Sequence, residues 1–159
     1  MSSLRYAGSI SIPIEIAPRP QDTDGCIAID NIHCTLLLPS QLRVLKETHD
    51  LTNMGLKERV KFALKLVAAP PMLVLGSETH LATRIDPSWE YDNTTCSEDI
   101  KRTHFIKVEN QEEMQAYLNT LTDEIGIPNV ERFFHVSVAN DTGKPTDSIG
   151  NIMRGDCND

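Results

Sequence analysis

Residues 31–39 read NIHCTLLLP, and how this stretch is read decides the fold of the chain. A histidine and a threonine stand two apart inside an otherwise apolar run. In a β-strand residues i and i+2 point to one side and i+1 and i+3 to the other. His33 and Thr35 therefore share one face, while Cys34 and Leu36 share the apolar face behind it. Residues 133–140, FFHVSVAN, repeat the arrangement: His135 and Ser137 on one face, Val136 and Val138 behind. Each strand offers an imidazole and a hydroxyl side by side, anchored from the rear by core residues.

Working outward, AGSISIPIEIA (7–17) alternates isoleucines with small or polar residues, the period of a half-buried strand, with Pro13 marking an edge or bulge. PRPQDTDG reads as loop, and CIAIDNIHCTLLL as one strand or two short ones. A helix is expected within LPSQLRVLKETHD, with Ser40 as its N-cap. A longer one is expected over residues 56–69, where Leu56, Val60, Ala63, Leu64 and Val67 share a face and Pro70 and Pro71 stop the run. MLVLG and HLATRI read as two strands separated by a GSE turn. Residues 86–102 lack periodicity and read as an exposed loop, followed by a strand over 103–109. Asn110 can cap the helix QEEMQAYLNTLTDEIG, which Gly126 and Pro128 end. RFFHVSVAN is the last strand and DTGKPTDS a polar loop. The pattern gives an α+β fold with two similar halves, each carrying helix, strands and one His-x-Ser/Thr strand. One bilobal domain is expected over residues 1–150, with residues 151–159 a loose tail.

The composition is that of a globular chain, 159 residues with 40% hydrophobic side chains. No run approaches the roughly 20 apolar residues that span a bilayer, and the first residues lack the pattern of a signal peptide. Four scattered cysteines without a CxxC pair, one of them inside the apolar run, suit a reducing, cytoplasmic location. The net charge of −8 argues against long RNA or DNA as the main ligand, since gripping a polyanion takes a basic face. A small nucleotide remains compatible, because a local cluster of donors can hold one or two phosphates.

Two imidazoles and two hydroxyls on facing strands suit chemistry at a phosphodiester. One neutral imidazole takes a proton from the attacking water or hydroxyl, and the other, protonated, gives one to the leaving oxygen. The hydroxyls hold the non-bridging oxygens so that phosphorus lies in line between the histidines. An unperturbed pKa of about 6.5 lets one histidine be neutral and one charged near neutrality. No metal or other cofactor is expected, because no compact set of ligands such as HExxH is present. His49, His80 and His104 lack a hydroxyl at i+2 in such a context and read as structural or surface residues.

The tetrads HCTL and HVSV resemble the paired H-x-[ST]-x motifs of the two-histidine phosphoesterases, the LigT-like group, which also includes 2′-5′ RNA ligase-like members. The resemblance covers residues 7–140 in element order, with the two tetrads as its specific residues. It implies two pseudo-symmetric lobes of antiparallel strands with helices outside, around a central cleft with one motif strand in each lobe. It implies a metal-independent hydrolase in which His33 and His135 are the acid/base pair and Thr35 and Ser137 bind the phosphate. Members act on 2′,3′-cyclic phosphates, 2′-5′ linkages or cyclic nucleotides, and some viral members degrade cyclic nucleotide immune signals. Two departures stand out: Asn140 occupies the position where bacterial members often carry an arginine, and no helix is visible in residues 17–29.

The expected partner is thus a nucleotide or cyclic (oligo)nucleotide substrate. The alternatives are an RNA-end 2′,3′-cyclic phosphodiesterase and a non-catalytic protein that sequesters nucleotides. Further substrate contacts are expected from Trp89, which with Tyr91 could stack on a base, from Tyr6 at the head of the first strand, from Asn140, and from Lys144 in the loop after the second motif.

Overall fold

The computed structural model describes residues 4–14, 26–29, 32–44, 55–85, 100–144, 148–149 and 152–157. Among them the elements are β1 (Arg5–Tyr6), β2 (Ile10–Pro13), β3 (Ile27–Ala28), β4 (His33–Leu37), α1 (Pro39–Leu42), α2 (Leu56–Leu66), β5 (Leu75–Ile85), β6 (Ile100–Val108), α3 (Gln111–Ile125) and β7 (His135–Asn140), followed by a 3-10 turn at Arg154–Asp156. The fold is mixed α and β, with an antiparallel sheet in the strand order β1-β2-β4-β7-β6-β5 and β3 paired to β7 as well. The chain divides into two compact units, each of three chain stretches. One holds Met1–Pro13, Thr35–Leu73 and Asn110–Phe134; the other holds Ile14–Cys34, Val74–Glu109 and His135–Asp159. Among the described residues no helix is long and apolar enough to cross a membrane.

In the first unit, β1 and β2 form a hairpin in which Tyr6 lies opposite Ile10, turned by Gly8 at φ 82°. A left-handed turn residue of this kind is far easier for glycine than for a residue with a Cβ. Ser11 is buried along with Ile10 and Ile12, so β2 is covered on both faces where alternation predicts a half-buried strand. The first helix starts one residue earlier than a Ser40 cap requires: Leu38 is the N-cap and Pro39 the first helical residue. Proline suits that position because its missing N–H would have no partner there. The Leu38 N–H donates instead to Gln41 Oε1 at 2.8 Å. The second helix ends at Leu66, short of the expected residue 69. Pro70 has no N–H with which to continue the ladder onto the Leu66 carbonyl.

Helix α3 buries Met114, Leu118, Leu121 and Ile125 along one side, and Gly126 at φ 98° closes it. Asn110 is its N-cap as predicted, but its side chain does not cap the backbone. It donates to Met72 O at 3.0 Å and to Glu113 Oε1 at 2.7 Å. The same helix guides the approach to β7. Gln111 donates to Phe134 O at 2.7 Å and accepts from Phe134 N at 2.8 Å. Gln115, one turn on, donates to Val130 O at 2.8 Å and accepts from Arg132 N at 3.1 Å. Two side-chain amides thus take the place of a neighbouring strand along residues 130–134, up to the residue before His135.

In the second unit, the expected pair of strands around a GSE turn is a single strand, β5. Its pairing with β6 shifts register between Leu75 and Thr79, so Gly76, Ser77 and Glu78 lie in a bulge. Gly76 is required there, since a Cβ would stand 2.9 Å from Glu109 Oε1 and 3.2 Å from Lys107 O. Strand β6 begins at Ile100, three residues before the predicted start, because Lys101 and Arg102 pair with Arg84 and Thr83. The predicted loop therefore shrinks to residues 86–99, which lie outside the described residues. The chain end also differs from a loose tail. Ile149 and Ile152 are buried, and the Ile149 N–H donates to Thr103 Oγ1 at 2.9 Å.

Candidate active site

Strand β7 carries β6 along one edge. On the other edge lie β4, through Cys34 opposite Val136, and further along β3, through Ile27 opposite Asn140. In an antiparallel pair the residue before one partner faces the residue after the other, so His33 stands across from Ser137 on the side away from Cys34 and Val136. The row continues through Phe105, opposite Ser137, to His80, opposite Phe105. In the next row, Lys107 lies opposite His135. One face of this unit therefore gathers His33, Ser137, His135, Lys107, Phe105 and His80. On the reverse face Cys34, Val136 and Ile106 are buried and fix these strands from behind. Ordinary diagonal spacing in such a sheet puts the His33 and His135 Cβ atoms about 7 Å apart.

Phe105 is completely buried and forms the floor between two imidazoles. Its ring centroid lies 5.5 Å from that of His80 and 5.8 Å from that of His135, the latter edge-on at 78°. His135 is 6% exposed, whereas His33 is half-buried, so the two imidazoles meet different surroundings. Further along the same face of β5, Arg84 makes a two-pronged contact with Asp156 of the 3-10 turn, at 2.9 and 2.6 Å. This contact pushes the Arg84 guanidinium up and holds the Asp156 carboxyl below the usual range, chiefly through the hydrogen bond between them. The Met153 N–H and the charge on His135 act on Asp156 in the same direction.

The other sequence-predicted residues divide. Thr35 follows His33 on the same face of β4 and is half-buried; it is the first residue of the other unit, where its carbonyl accepts from Arg132 Nε at 2.7 Å. Both motif histidines belong to one unit, so the expectation of one motif strand per lobe is corrected. The physical reason is direct hydrogen bonding between β4 and β7. Asn140 is not a substrate contact. It is fully buried and committed at both ends, donating to Lys144 O and Ser148 Oγ and accepting from the Thr142 and Gly143 N–H groups. Lys144 lies in the turn beyond the far end of β7 from His135, and its N–H donates to Thr142 Oγ1. It is not brought to the histidine face. Tyr6 belongs to the other unit, where burial pushes its phenol up. Trp89, Tyr91 and His49 lie outside the described residues.

Sequence reasoning missed His80, Lys107, Arg84 and Asp156 as members of this face. Alternation along β6 groups Thr103, Phe105 and Lys107, but only pairing with β7 tells which side they take. For Asp156 the signal was Ile149 and Ile152, two apolar residues in a stretch otherwise polar enough to read as tail.

Comparison of the chain with protein-family models, with curated proteins and with solved structures gives no match.

Proposed function

We propose that the chain is a metal-independent phosphodiesterase acting on a small or cyclic nucleotide, with His33 and His135 as the acid/base pair and Ser137 and Thr35 as hydroxyl donors to the phosphate. One observation carries the reading. Two His-x-Ser/Thr strands, far apart in sequence, are hydrogen-bonded neighbours in register, with His33 across from Ser137 and His135 on the same face. One imidazole removes the proton from water or an attacking hydroxyl as its oxygen bonds to phosphorus. The P–O bond to the leaving oxygen breaks, and the second imidazole supplies the proton that oxygen takes up. Ser137 donates to a non-bridging oxygen, and Lys107 beside His135 offsets the charge that builds on the phosphoryl group. Retaining two imidazoles next to hydroxyls favours turnover over sequestration, because binding alone has no use for a paired acid and base.

The test is a hydrolysis panel in EDTA covering 2′,3′-cyclic and 3′,5′-cyclic mononucleotides, cyclic di- and trinucleotides, and a short RNA with a cyclic end. Wild type is expected to cleave at least one of them, with His33→Ala and His135→Ala each slower by about 10²–10⁴-fold. Cleavage confined to the RNA end would move the substrate class to RNA repair chemistry. Binding of a nucleotide without turnover would replace the enzyme reading with sequestration.

A further inference from the structure

The strands leave the roles of the two histidines symmetric, and the C-terminal segment does not. Its Ile149 N–H is fastened to Thr103 on β6, and its Asp156 to Arg84 on β5. By register, Thr103 and Arg84 lie on the same side of those strands as Phe105 and His80. The segment therefore runs over the face that carries His135, and brings a carboxylate to it. Asp156 is anchored a third time by the Met153 N–H, which donates to Oδ2 at 2.8 Å.

We propose that Asp156 is a positioning residue that keeps His135 protonated, which makes His135 the general acid and His33 the general base of the phosphodiester cleavage proposed above. The charged groups around His135 sort accordingly. Lys107 faces it from β6, His80 and Arg84 from β5, and His33 from β4; Arg154 shares the turn with Asp156. All of these are cationic or can become so, and each disfavours a second positive charge on His135. Asp156 opposes them. The interaction is mutual: a His135 charge that steadies the Asp156 carboxylate is itself steadied by it. Arg84 holds the carboxylate in one orientation through two bonds, so the aspartate meets His135 with its geometry already fixed. His33, more open to solvent, is left to cycle through its neutral form.

The proposal rests on the phosphodiesterase reading, and two readouts separate their failures. Histidine titration by NMR follows His135 and His33 without any substrate. In the wild type His135 is expected to titrate above His33, and in Asp156→Asn the His135 pKa is expected to fall by at least about half a unit while His33 holds. Asp156→Glu should restore part of the shift. The second readout is the pH profile of kcat/KM, whose alkaline limb should move down with the His135 pKa in Asp156→Asn. His33 titrating above His135 in the wild type overturns the assignment of roles, even if the variant does not fold. An unmoved His135 in folded Asp156→Asn overturns the role of Asp156. A moved His135 with no turnover on any substrate removes the general acid through failure of the phosphodiesterase reading, not through the Asp156 contact.

Discussion

His33 and His135 reach one face because a single cross-strand pair, Cys34 with Val136, sets the register between β4 and β7. A slip of one residue would turn one of the histidines to the apolar side. The His-x-Ser/Thr pairs were legible in the sequence because alternation is local and needs no partner strand. Asn140 was misread for the complementary reason: what it does depends on a turn that exists only once β7 has ended. There it serves Thr142, Gly143, Lys144 and Ser148 at once. Asn140→Ala is therefore expected to destabilise the fold by about 1–3 kcal/mol, by stranding buried backbone donors, and to leave kcat/KM within a few-fold at temperatures where the variant is folded. Urea midpoints beside initial rates check this. A loss of activity in a fully folded Asn140→Ala would return the residue to the site.

At the scale of elements, the helices and β7 were readable from periodicity and their stop signals, whereas β5 was not. Glycine with serine and glutamate reads as a turn, yet β6 continues to pair on both sides of it, so the three residues are absorbed as a bulge. The approach to β7 was equally hidden, because residues 130–134 form no strand. Their backbone is held by Gln111 and Gln115, and glutamine in a helix carries no mark of such a task in sequence. Gln111→Ala removes both bonds to Phe134. It is expected to cost about 1–3 kcal/mol and to lower kcat as well as stability, because the chain segment delivering His135 loses its tether. Gln115→Ala serves as the comparison, since its bonds fall further from His135. Equal stability loss with unchanged kcat in both variants would show that the tether holds the fold only.

For the molecule as a whole, an acidic total of −8 coexists with a face carrying Lys107, Arg84 and three histidines. Composition argued correctly for no particular ligand here, because charge totals average over faces that only pairing defines. Both units are assembled from interleaved stretches, so the two sequence halves that seemed to match each other do not correspond to the two units. The C-terminal segment also contributes to stability. The folded pKa of Asp156 lies below its ordinary value of about 3.9. Its stabilisation is thus fully present above that value and is lost as pH falls through the lower folded one. The stability difference between wild type and Asp156→Asn, read from chemical denaturation, should be constant between pH 5 and 7 and shrink as pH is taken below about 4. A difference that persists undiminished at pH 2.5 would assign the effect to packing rather than to the carboxylate. More direct is the pH dependence of kcat/KM, in EDTA, for the substrate the wild type cleaves fastest. A bell is expected, with His33→Ala losing the acidic limb, His135→Ala the alkaline limb, and each falling by about 10²–10⁴-fold. A profile flat from pH 5 to 9, or full activity in either variant, would contradict paired acid/base catalysis by His33 and His135.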